Sequence, residues 1–206
     1  MIPDETDRDT WMAARLGKVT ASRIADLTAK TKSGWGASRA NYMAQLIIER
    51  LTGEQANGYT NQAMQHGIDT EPQAISAYEF FMDVQVEPSP FVDHPDIAMS
   101  GASPDGLVGG KGLVEVKSPN SATHIETLLG QKVPEKYIKQ VQWQMACTGR
   151  KWTDWVSFDD RLPPDLQFYR QRIDRDDKLI EELEGYVIEF LEELEGKLQK
   201  LEELGR

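Results

Sequence analysis

Three charged residues lie on two short segments that the sequence predicts to pair as a β-hairpin. Asp105 opens an apolar run, residues 109–112 supply a tight turn, and the chain returns through Glu115 and Lys117. Because a short glycine-containing turn folds two strands against each other, Asp105 and Glu115 are predicted to meet. Side chains two residues apart on a strand share a face, so Lys117 is predicted to join them.

Two carboxylates beside a lysine are a set of groups that suits metal-assisted hydrolysis. Mg²⁺ prefers oxygen ligands, and proteins usually hold it through one or two carboxylates together with substrate phosphates. A neighbouring ammonium group can orient an attacking water or neutralise the charge that develops during the reaction. The pattern therefore indicates hydrolysis of a phosphodiester.

A purely structural interpretation of the same residues stays open. An Asp in a Pro-Asp-Gly turn often bonds the nearby backbone and has no chemical role. Glu115 and Lys117, however, alternate with two valines, so both charges would point inward. Charges inside a protein are costly unless they are paired or coordinate a metal, and the combination therefore favours a functional site.

The composition is typical of a globular protein. The 206 residues contain no Pro/Gly/Ser-rich linker, which predicts a single domain over residues 1–206. No apolar stretch approaches the roughly 20 residues that span a bilayer, so no membrane partner is expected. The acidic start lacks the pattern of a secretory signal and Cys147 is the only cysteine, so a cytoplasmic location is predicted.

The net charge bears on whether DNA is a partner. A formal net charge of −11 argues against a nucleic-acid ligand, because phosphate binding normally needs a basic surface. Much of the acidity lies between Glu181 and Glu203, where Glu far outnumbers Lys, so a basic groove could still form elsewhere. Six basic residues are concentrated near the N-terminus: Arg15, Lys18, Arg23, Lys30, Lys32 and Arg39.

Hydrophobic periodicity predicts an α/β fold with a central mixed β-sheet flanked by helices and a long C-terminal helix. Helices are predicted over residues 10–16, 20–29, 38–51, 61–82, 131–147 (helical after Pro134) and 174–204. A break in the helix 61–82 is expected at Gly67. Besides the hairpin, strands are predicted over residues 85–92, 97–99, 153–158 and 166–173.

The residues of the hairpin resemble a known nuclease pattern. Pro104-Asp105 followed by Glu115-Val116-Lys117 is similar to the signature of the PD-(D/E)xK nuclease superfamily. The chain as a whole resembles the phage lambda exonuclease family, also called YqaJ-type viral recombinases. Five ordered blocks carry this resemblance, namely Trp11 with 15–22, then 67–71, 103–107, 113–119, and Tyr137 with 140–142.

The resemblance implies a restriction-endonuclease-like core and a defined activity. The expected enzyme is a processive, Mg²⁺-dependent 5′→3′ exonuclease that degrades one strand of linear duplex DNA and leaves 3′ overhangs. It would form a homotrimeric ring and work with a single-strand annealing protein in homologous recombination. A phage or prophage origin, in the cytoplasm of a bacterial host, is implied as well.

The resemblance also assigns roles to residues at the metal site. Asp105 and Glu115 would ligate Mg²⁺, with two ions expected and Mn²⁺ as a substitute. The carbonyl of Val116 would complete the coordination sphere, and Lys117 would position or activate the attacking water.

Two further residues take catalytic roles only through the resemblance. Glu71 matches an upstream acidic residue that assists a metal or its water, and Gln140 matches a helical glutamine near the same site. From the residues alone, Glu71 is a first-turn Glu favoured by the helix dipole and Gln140 is a surface glutamine.

The block from Arg15 to Ser22 predicts an anion pocket. A break at Gly17, followed by Thr20 and Ser22 at the start of a helix, offers backbone N–H groups, hydroxyls and a positive dipole end. Arg15 is able to make bidentate contacts with a phosphate. In the resembling family the matching arginine and serine bind the 5′-terminal phosphate. The alternative is an ordinary capped helix with a surface Arg.

Other residues give little support to a different chemistry. His66, His94 and His124 lack the spacing of zinc ligands, and no Gly-rich nucleotide loop is present. Trp35, in the polar segment 31–36, is predicted to lie in a mobile loop that touches DNA.

Two other functions stay open. A restriction-type endonuclease would use the same metal site, and cutting of covalently closed DNA separates it from an exonuclease. A catalytically inactive scaffold for a recombination partner would keep the fold and lose Mg²⁺-dependent hydrolysis.

Overall fold

The structure is a computed structural model that describes residues 5–56 and 62–205, and none of the helices in these ranges is long and apolar enough to cross a membrane. Two short 3₁₀ helices cover Ala21–Arg23 and Pro164–Leu166. The α-helices are α1 (Glu5–Arg15), α2 (Ile24–Leu27), α3 (Ala37–Thr52), α4 (Gln62–Met82), α5 (Ser121–Gly130), α6 (Glu135–Thr148) and α7 (Asp177–Leu204). The strands are β1 (Val19–Thr20), β2 (Lys30–Thr31), β3 (Gly34–Trp35), β4 (Val86–Glu87), β5 (Val92–Asp93), β6 (Ser100–Ala102), β7 (Gly106–Val108), β8 (Gly112–Lys117), β9 (Trp152–Phe158) and β10 (Phe168–Asp174).

A five-stranded mixed sheet in the order β10-β9-β8-β7-β4 organises the structure. Strands β8 and β9 run parallel, and the other neighbours are antiparallel. Parallel neighbours need a crossover connection, and the one between β8 and β9 carries α5 and α6. The predicted mixed sheet flanked by helices, with a long C-terminal helix, is confirmed.

Strand β8 is covered on both faces, which explains its apolar sequence. Leu113 packs with Trp155 and with residues of α6, whereas Val114 and Val116 pack on the opposite face near Tyr78 of α4. Because successive side chains of a strand alternate between faces, the odd-numbered residues of β8 point towards α6. This alternation places the side chains of the predicted site on the α6 face.

A second core lies between α2, α3, α7 and the small sheet β1-β6-β5. Helix α7 begins at Asp177 rather than at residue 174, because β10 continues to Asp174 and Asp176 caps the helix by accepting from the N–H groups of Lys178 and Leu179. Its buried stripe packs against α2 and α3 and comprises Leu183, Val187, Phe190, Leu194 and Leu198.

Several predicted elements are wrong in position. Thr20 is not helical but pairs with Gly101 in the parallel contact of β1 and β6, and the helical turns begin at residue 21. Residues 97–99 form a turn rather than a strand, because Nδ1 of His94 accepts from the N–H of Ile97 at 3.1 Å. The strand follows this turn as β6.

Other differences have local causes. The predicted strand 85–92 is reduced to the two-residue strands β4 and β5, since Pro88 and Pro90 between them have no N–H to donate. Helix α4 is not interrupted at Gly67. Helix α5 was not predicted, although Asn120 caps it by accepting from the N–H of Thr123 at 2.9 Å.

The polar segment 31–36, predicted to be a loop, contains a hairpin in which Lys30 pairs with Trp35. The indole lies edge-on to Tyr186 of α7, with ring centroids 5.7 Å apart. The guanidinium of Arg39 lies 4.4 Å from the indole centroid. Trp35 thus packs on α7 while 37% of its surface stays exposed.

Much of the predicted basic concentration is paired within the protein. Arg39 is 3% exposed and donates to Glu193 of α7 at 2.5 Å. Lys18 pairs with Asp93 at 2.6 Å. The first contact neutralises part of the acidic helix α7, and both contacts leave a smaller basic surface than the sequence predicts.

A buried ion cluster joins β9, β10 and α4. Asp154 is fully buried and accepts hydrogen bonds from Tyr78 at 2.8 Å, from Arg170 at 3.0 Å and from two nitrogens of Arg172 at 2.9 Å. Burial alone would raise the pKa of Asp154, but the donors from Arg172, Tyr78 and Arg170 hold it below its ordinary value.

Replacing Asp154 with Asn is expected to lower the free energy of unfolding by about 3 kcal/mol at pH 7, because it leaves buried donors without a charged acceptor. A group with a lowered folded pKa stabilises the fold above its unfolded pKa, near 3.8, and this contribution disappears as the pH falls through the folded pKa. Urea denaturation at pH 7 and at decreasing pH measures both effects. The exposed Asp165→Asn is the control, and equal stabilities of Asp154→Asn and wild type at pH 7 would contradict the assignment.

Candidate active site

The β7–β8 hairpin brings the predicted metal-binding carboxylates together. Gly106 pairs with Val114, so Asp105, one step before β7, lies beside Glu115 on β8. The turn passes through Gly109, whose φ of +52° favours glycine over other residues. The predicted hairpin is confirmed, and the positions of its charged side chains follow from its register.

Asp105 is fixed by the facing strand. Its Oδ2 accepts from the N–H of Val116 at 2.7 Å, so the bond crosses the hairpin instead of closing a local turn. Burial raises the pKa of Asp105 well above its ordinary value, and the charge of Glu115 raises it further. Lys117 opposes this shift, and Glu71 adds a smaller raising effect. This carboxyl is therefore crowded by like charges.

Glu115 is 1% exposed and has hydrogen bonds to both carboxylate oxygens. Oε1 accepts from Nζ of Lys117 and from Nε2 of Gln140, each at 2.5 Å. Oε2 accepts from Nε2 of Gln144 at 2.6 Å. Three donors therefore hold one buried carboxylate in a fixed orientation.

Gln144 is the residue of this site that the sequence analysis missed. It lies four residues after Gln140 on α6, and residues at this spacing share a helix face. Both glutamines are buried, and buried amides require hydrogen-bond partners. The two glutamines four residues apart on one helix were the sequence pattern that could have predicted the role of Gln144.

Lys117 remains positively charged. Burial lowers the pKa of its ammonium group, but the charges of Glu115 and Asp105 have the larger combined effect and raise it above the ordinary value. An ammonium with a raised pKa does not accept a proton near neutral pH. The geometry therefore suits a role in orienting groups rather than a role as a general base.

Glu71 lies on α4 and is coupled electrostatically to the same site. Its side chain still contacts solvent, but partial desolvation raises its pKa, and the charge of Glu115 adds to this effect while Lys117 opposes it. Pro72 lies inside α4, where it has no N–H to donate to the preceding turn. The predicted proximity of Glu71 to Glu115 and Lys117 agrees with this coupling.

The donor set fits a hard divalent cation. Asp105, Glu115 and Glu71 are three carboxylates, and burial together with the charge of Glu115 raises the pKa of Asp105 and of Glu71. A divalent ion between such groups would stabilise their ionised forms, and oxygen ligands are those that Mg²⁺ and Mn²⁺ prefer. These residues are the ones that could hold a metal here.

Arg15 also faces this region. Its guanidinium lies 4.0 Å from the ring centroid of Trp11, and Trp11 donates to Oγ of Ser103 at 3.0 Å, just before Asp105. Burial lowers the pKa of Arg15, while the charges of Tyr42, Glu115 and Glu49 oppose this shift. The end of α1 is thereby connected to the carboxylate site.

The other residues of the predicted anion pocket, from Gly17 to Ser22, only partly form the predicted arrangement. Gly17 has a φ of +68° and makes the predicted break. Thr20, however, is 8% exposed, and its N–H donates to Oη of Tyr42 at 3.0 Å, so that N–H is not free for an anion. Ser22 is exposed in the 3₁₀ turn. The helical segment that follows is short, which limits its dipole.

Comparisons with known proteins identify the family of the chain. Residues 10–151 match the YqaJ-like viral recombinase domain. The structure is similar to that of an alkaline exonuclease from Laribacter hongkongensis, with 53% identity and a TM-score of 0.90 over 96% of this chain and 97% of that chain. The structure of that exonuclease in complex with dAMP gives a TM-score of 0.91 at the same identity and coverage.

A more distant similarity concerns the fold alone. A phage-related exonuclease from Haemophilus somnus is 15% identical, with a TM-score of 0.69 over 89% of this chain and 96% of that chain. A search of curated proteins gives no match. Because the matched domain covers more than half of the sequence, the chain belongs to the YqaJ-like viral recombinase family.

Proposed function

We propose that this chain is a Mg²⁺-dependent exonuclease that degrades one strand of linear duplex DNA in the 5′→3′ direction, as a single nuclease domain over residues 1–206. The observation that carries the proposal is the cluster of Asp105, Glu115 and Lys117 around the buried Glu115 carboxylate. The similar alkaline exonuclease binds dAMP, and a deoxynucleoside monophosphate is the class of product that such a reaction releases.

Four groups would hold the metal. They are the carboxylates of Asp105 and Glu115, the carbonyl of Val116 and, for a second ion or its water, Glu71. When bound, Mg²⁺ or Mn²⁺ supplies Lewis acidity at the phosphate and lowers the pKa of a bound water. Glu115 enters this set already oriented, because Gln140 and Gln144 bind its two oxygens from α6.

Lys117 would position the attacking water beside the phosphodiester. Its ammonium group stays charged next to Glu115 and Asp105, so it donates hydrogen bonds and offsets negative charge instead of removing a proton. In-line attack would release 5′ mononucleotides and leave a 3′ single-stranded overhang.

Arg15 and Ser22 would bind the 5′-terminal phosphate of the strand being digested. Arg15 is coupled electrostatically to the carboxylate site. The hydroxyl of Thr20 is proposed to bind the same phosphate. Trp35 is proposed as a further DNA contact from its exposed edge on the β2–β3 hairpin.

Membership of the family supports a proposal about assembly and partners. We propose that the protein forms a homotrimeric ring that encloses duplex DNA, and that a single-strand annealing protein is its partner in recombination. We also propose that it is of phage or prophage origin and acts in the cytoplasm of a bacterial host. The acidic residues of α7 would repel phosphates and so discourage nonproductive contact with DNA.

Hydrolysis is expected to require Mg²⁺ and a free DNA end. Wild-type protein should degrade linear duplex DNA when Mg²⁺ is present, and it should degrade no DNA when a chelator removes the metal. Asp105→Asn, which keeps an acceptor for the N–H of Val116, should lower the rate about a thousandfold, because several kcal/mol of metal-dependent stabilisation are lost. Gel analysis of end-labelled DNA measures these rates.

The Asp165→Asn variant is the matched control and should retain the wild-type rate. A covalently closed circle should stay intact, and its cleavage would favour an endonuclease. Absence of Mg²⁺-dependent hydrolysis in folded wild-type protein would favour an inactive scaffold.

Replacing Arg15 with Gln is expected to remove a preference for phosphorylated ends. Charge-assisted hydrogen bonds contribute about 1.5 kcal/mol or more, which is about tenfold in rate. The variant should therefore be about tenfold slower on 5′-phosphate ends and unchanged on 5′-hydroxyl ends. Equal wild-type rates on the two kinds of end would refute the pocket.

Replacing Gln144 with Leu should raise the Mg²⁺ concentration needed for half-maximal activity by about tenfold or more, because partners that orient a metal ligand contribute this much to affinity. Gln142→Leu is the control on the same helix, since Gln142 contacts the backbone of residues 174 and 176 instead of Glu115. A Mg²⁺ titration of activity distinguishes the two variants. An unchanged Mg²⁺ requirement in Gln144→Leu would exclude this positioning role.

A further inference from the structure

A second group of possible metal ligands lies where α4 approaches the end of β9. His66 belongs to α4, and Asp159 and Asp160 directly follow β9. Each residue offers one ligand atom, and the three atoms all lie within 4.8 Å of one another. His66 is distant in sequence from the two aspartates, and the group does not include Asp105, Glu115 or Glu71.

Two polar atoms of this group lack partners. Asp159 is fully buried, and its Oδ1 accepts from the backbone N–H of Arg161 at 3.1 Å and from Nε of Arg161 at 2.6 Å. Its Oδ2 and Nε2 of His66 are both buried and have no hydrogen-bond partner among the residues that the structure describes. Buried polar atoms without partners are rare and costly, so a partner beyond the described residues is indicated.

The local charge favours a cation as that group. Burial alone would raise the pKa of Asp159, but the hydrogen bonds from Arg161 hold it below its ordinary value, so the carboxylate is ionised. The side chain of Arg161 is 45% exposed and its charge is partly screened by solvent. Two carboxylates against one guanidinium leave net negative charge beside the imidazole.

We propose that His66, Asp159 and Asp160 bind a divalent transition-metal ion of the zinc class. An imidazole nitrogen with two carboxylate oxygens suits Zn²⁺ better than Mg²⁺, which prefers an all-oxygen environment. Asp160 is exposed and gives the ion a route from solvent, while Asp159 supplies the buried anchor. The remaining coordination positions are open to water.

Such an ion would link α4 to the central sheet. His66 lies five residues before Glu71 on the same helix, so a bound ion would restrain the part of α4 that carries Glu71. The role is structural, and binding of the ion does not require that the proposed nuclease reaction is correct.

Calorimetric titration with Zn²⁺ in excess Mg²⁺ tests the site, because Mg²⁺ occupies sites built from oxygen ligands and leaves the imidazole site free. Wild-type protein should bind one Zn²⁺ per chain. Asp160→Asn should bind at least about tenfold more weakly, since even outer partners of metal ligands are worth that much, and His66→Gln should lose the site. The control Asp165→Asn, an exposed Asp in the same connection, should match wild type.

Thermal unfolding provides a second measurement. Zn²⁺ should raise the Tm of wild type and Asp165→Asn and leave His66→Gln unchanged, because a ligand of the folded state stabilises it. Unfolding of each variant in chelator shows that it folds before metal is added. Equal Zn²⁺ affinity in all four proteins, or no binding by wild type, would overturn the proposal and leave water as the partner of the two buried atoms.

Discussion

The burial of the Glu115 carboxylate is the constraint on which the site and much of the fold depend. A charge in the interior is costly unless it is paired and hydrogen-bonded, and this one lies on the central strand β8 at 1% exposure. Lys117 supplies the counter-charge from the same strand, but the other donors come from Gln140 and Gln144 of α6. Because α6 belongs to the crossover that makes β8 and β9 parallel, the topology of the sheet and the orientation of the carboxylate are linked.

Two aspartates show how the surroundings determine the role of one residue type. Asp154 lies on the α4 face of the sheet among Arg170, Arg172 and Tyr78, which hold its pKa low, so its charge is satisfied within the protein. Asp105 has carboxylates as neighbours, and its pKa is raised. The first arrangement stabilises a fold. The second leaves negative charge that a cation can satisfy, and perturbed carboxyls of this kind are typical of functional sites.

Helix α7 carries much of the negative charge of the chain and still packs against the rest of the protein. Its apolar stripe packs on α2 and α3, and Glu193 forms an ion pair with the buried Arg39. The same pair removes Arg39 from the basic surface that the sequence predicts. Charge counted along the chain is therefore a poor guide to the potential at the site, where Arg15 and Lys117 act at short range.

The sequence by itself determined the β7–β8 hairpin with Asp105, Glu115 and Lys117, the extent of α6, and the amphipathic α7, because periodicity and turn residues are local signals. Tertiary structure alone decided that Thr20 joins a strand through β6, that Gln144 completes the shell of Glu115, and that Arg39 is buried. It also brought His66 to Asp159, although histidine spacing along the chain had indicated no metal site. These features depend on contacts between residues far apart in sequence, and such contacts leave no periodic pattern in the segments that make them.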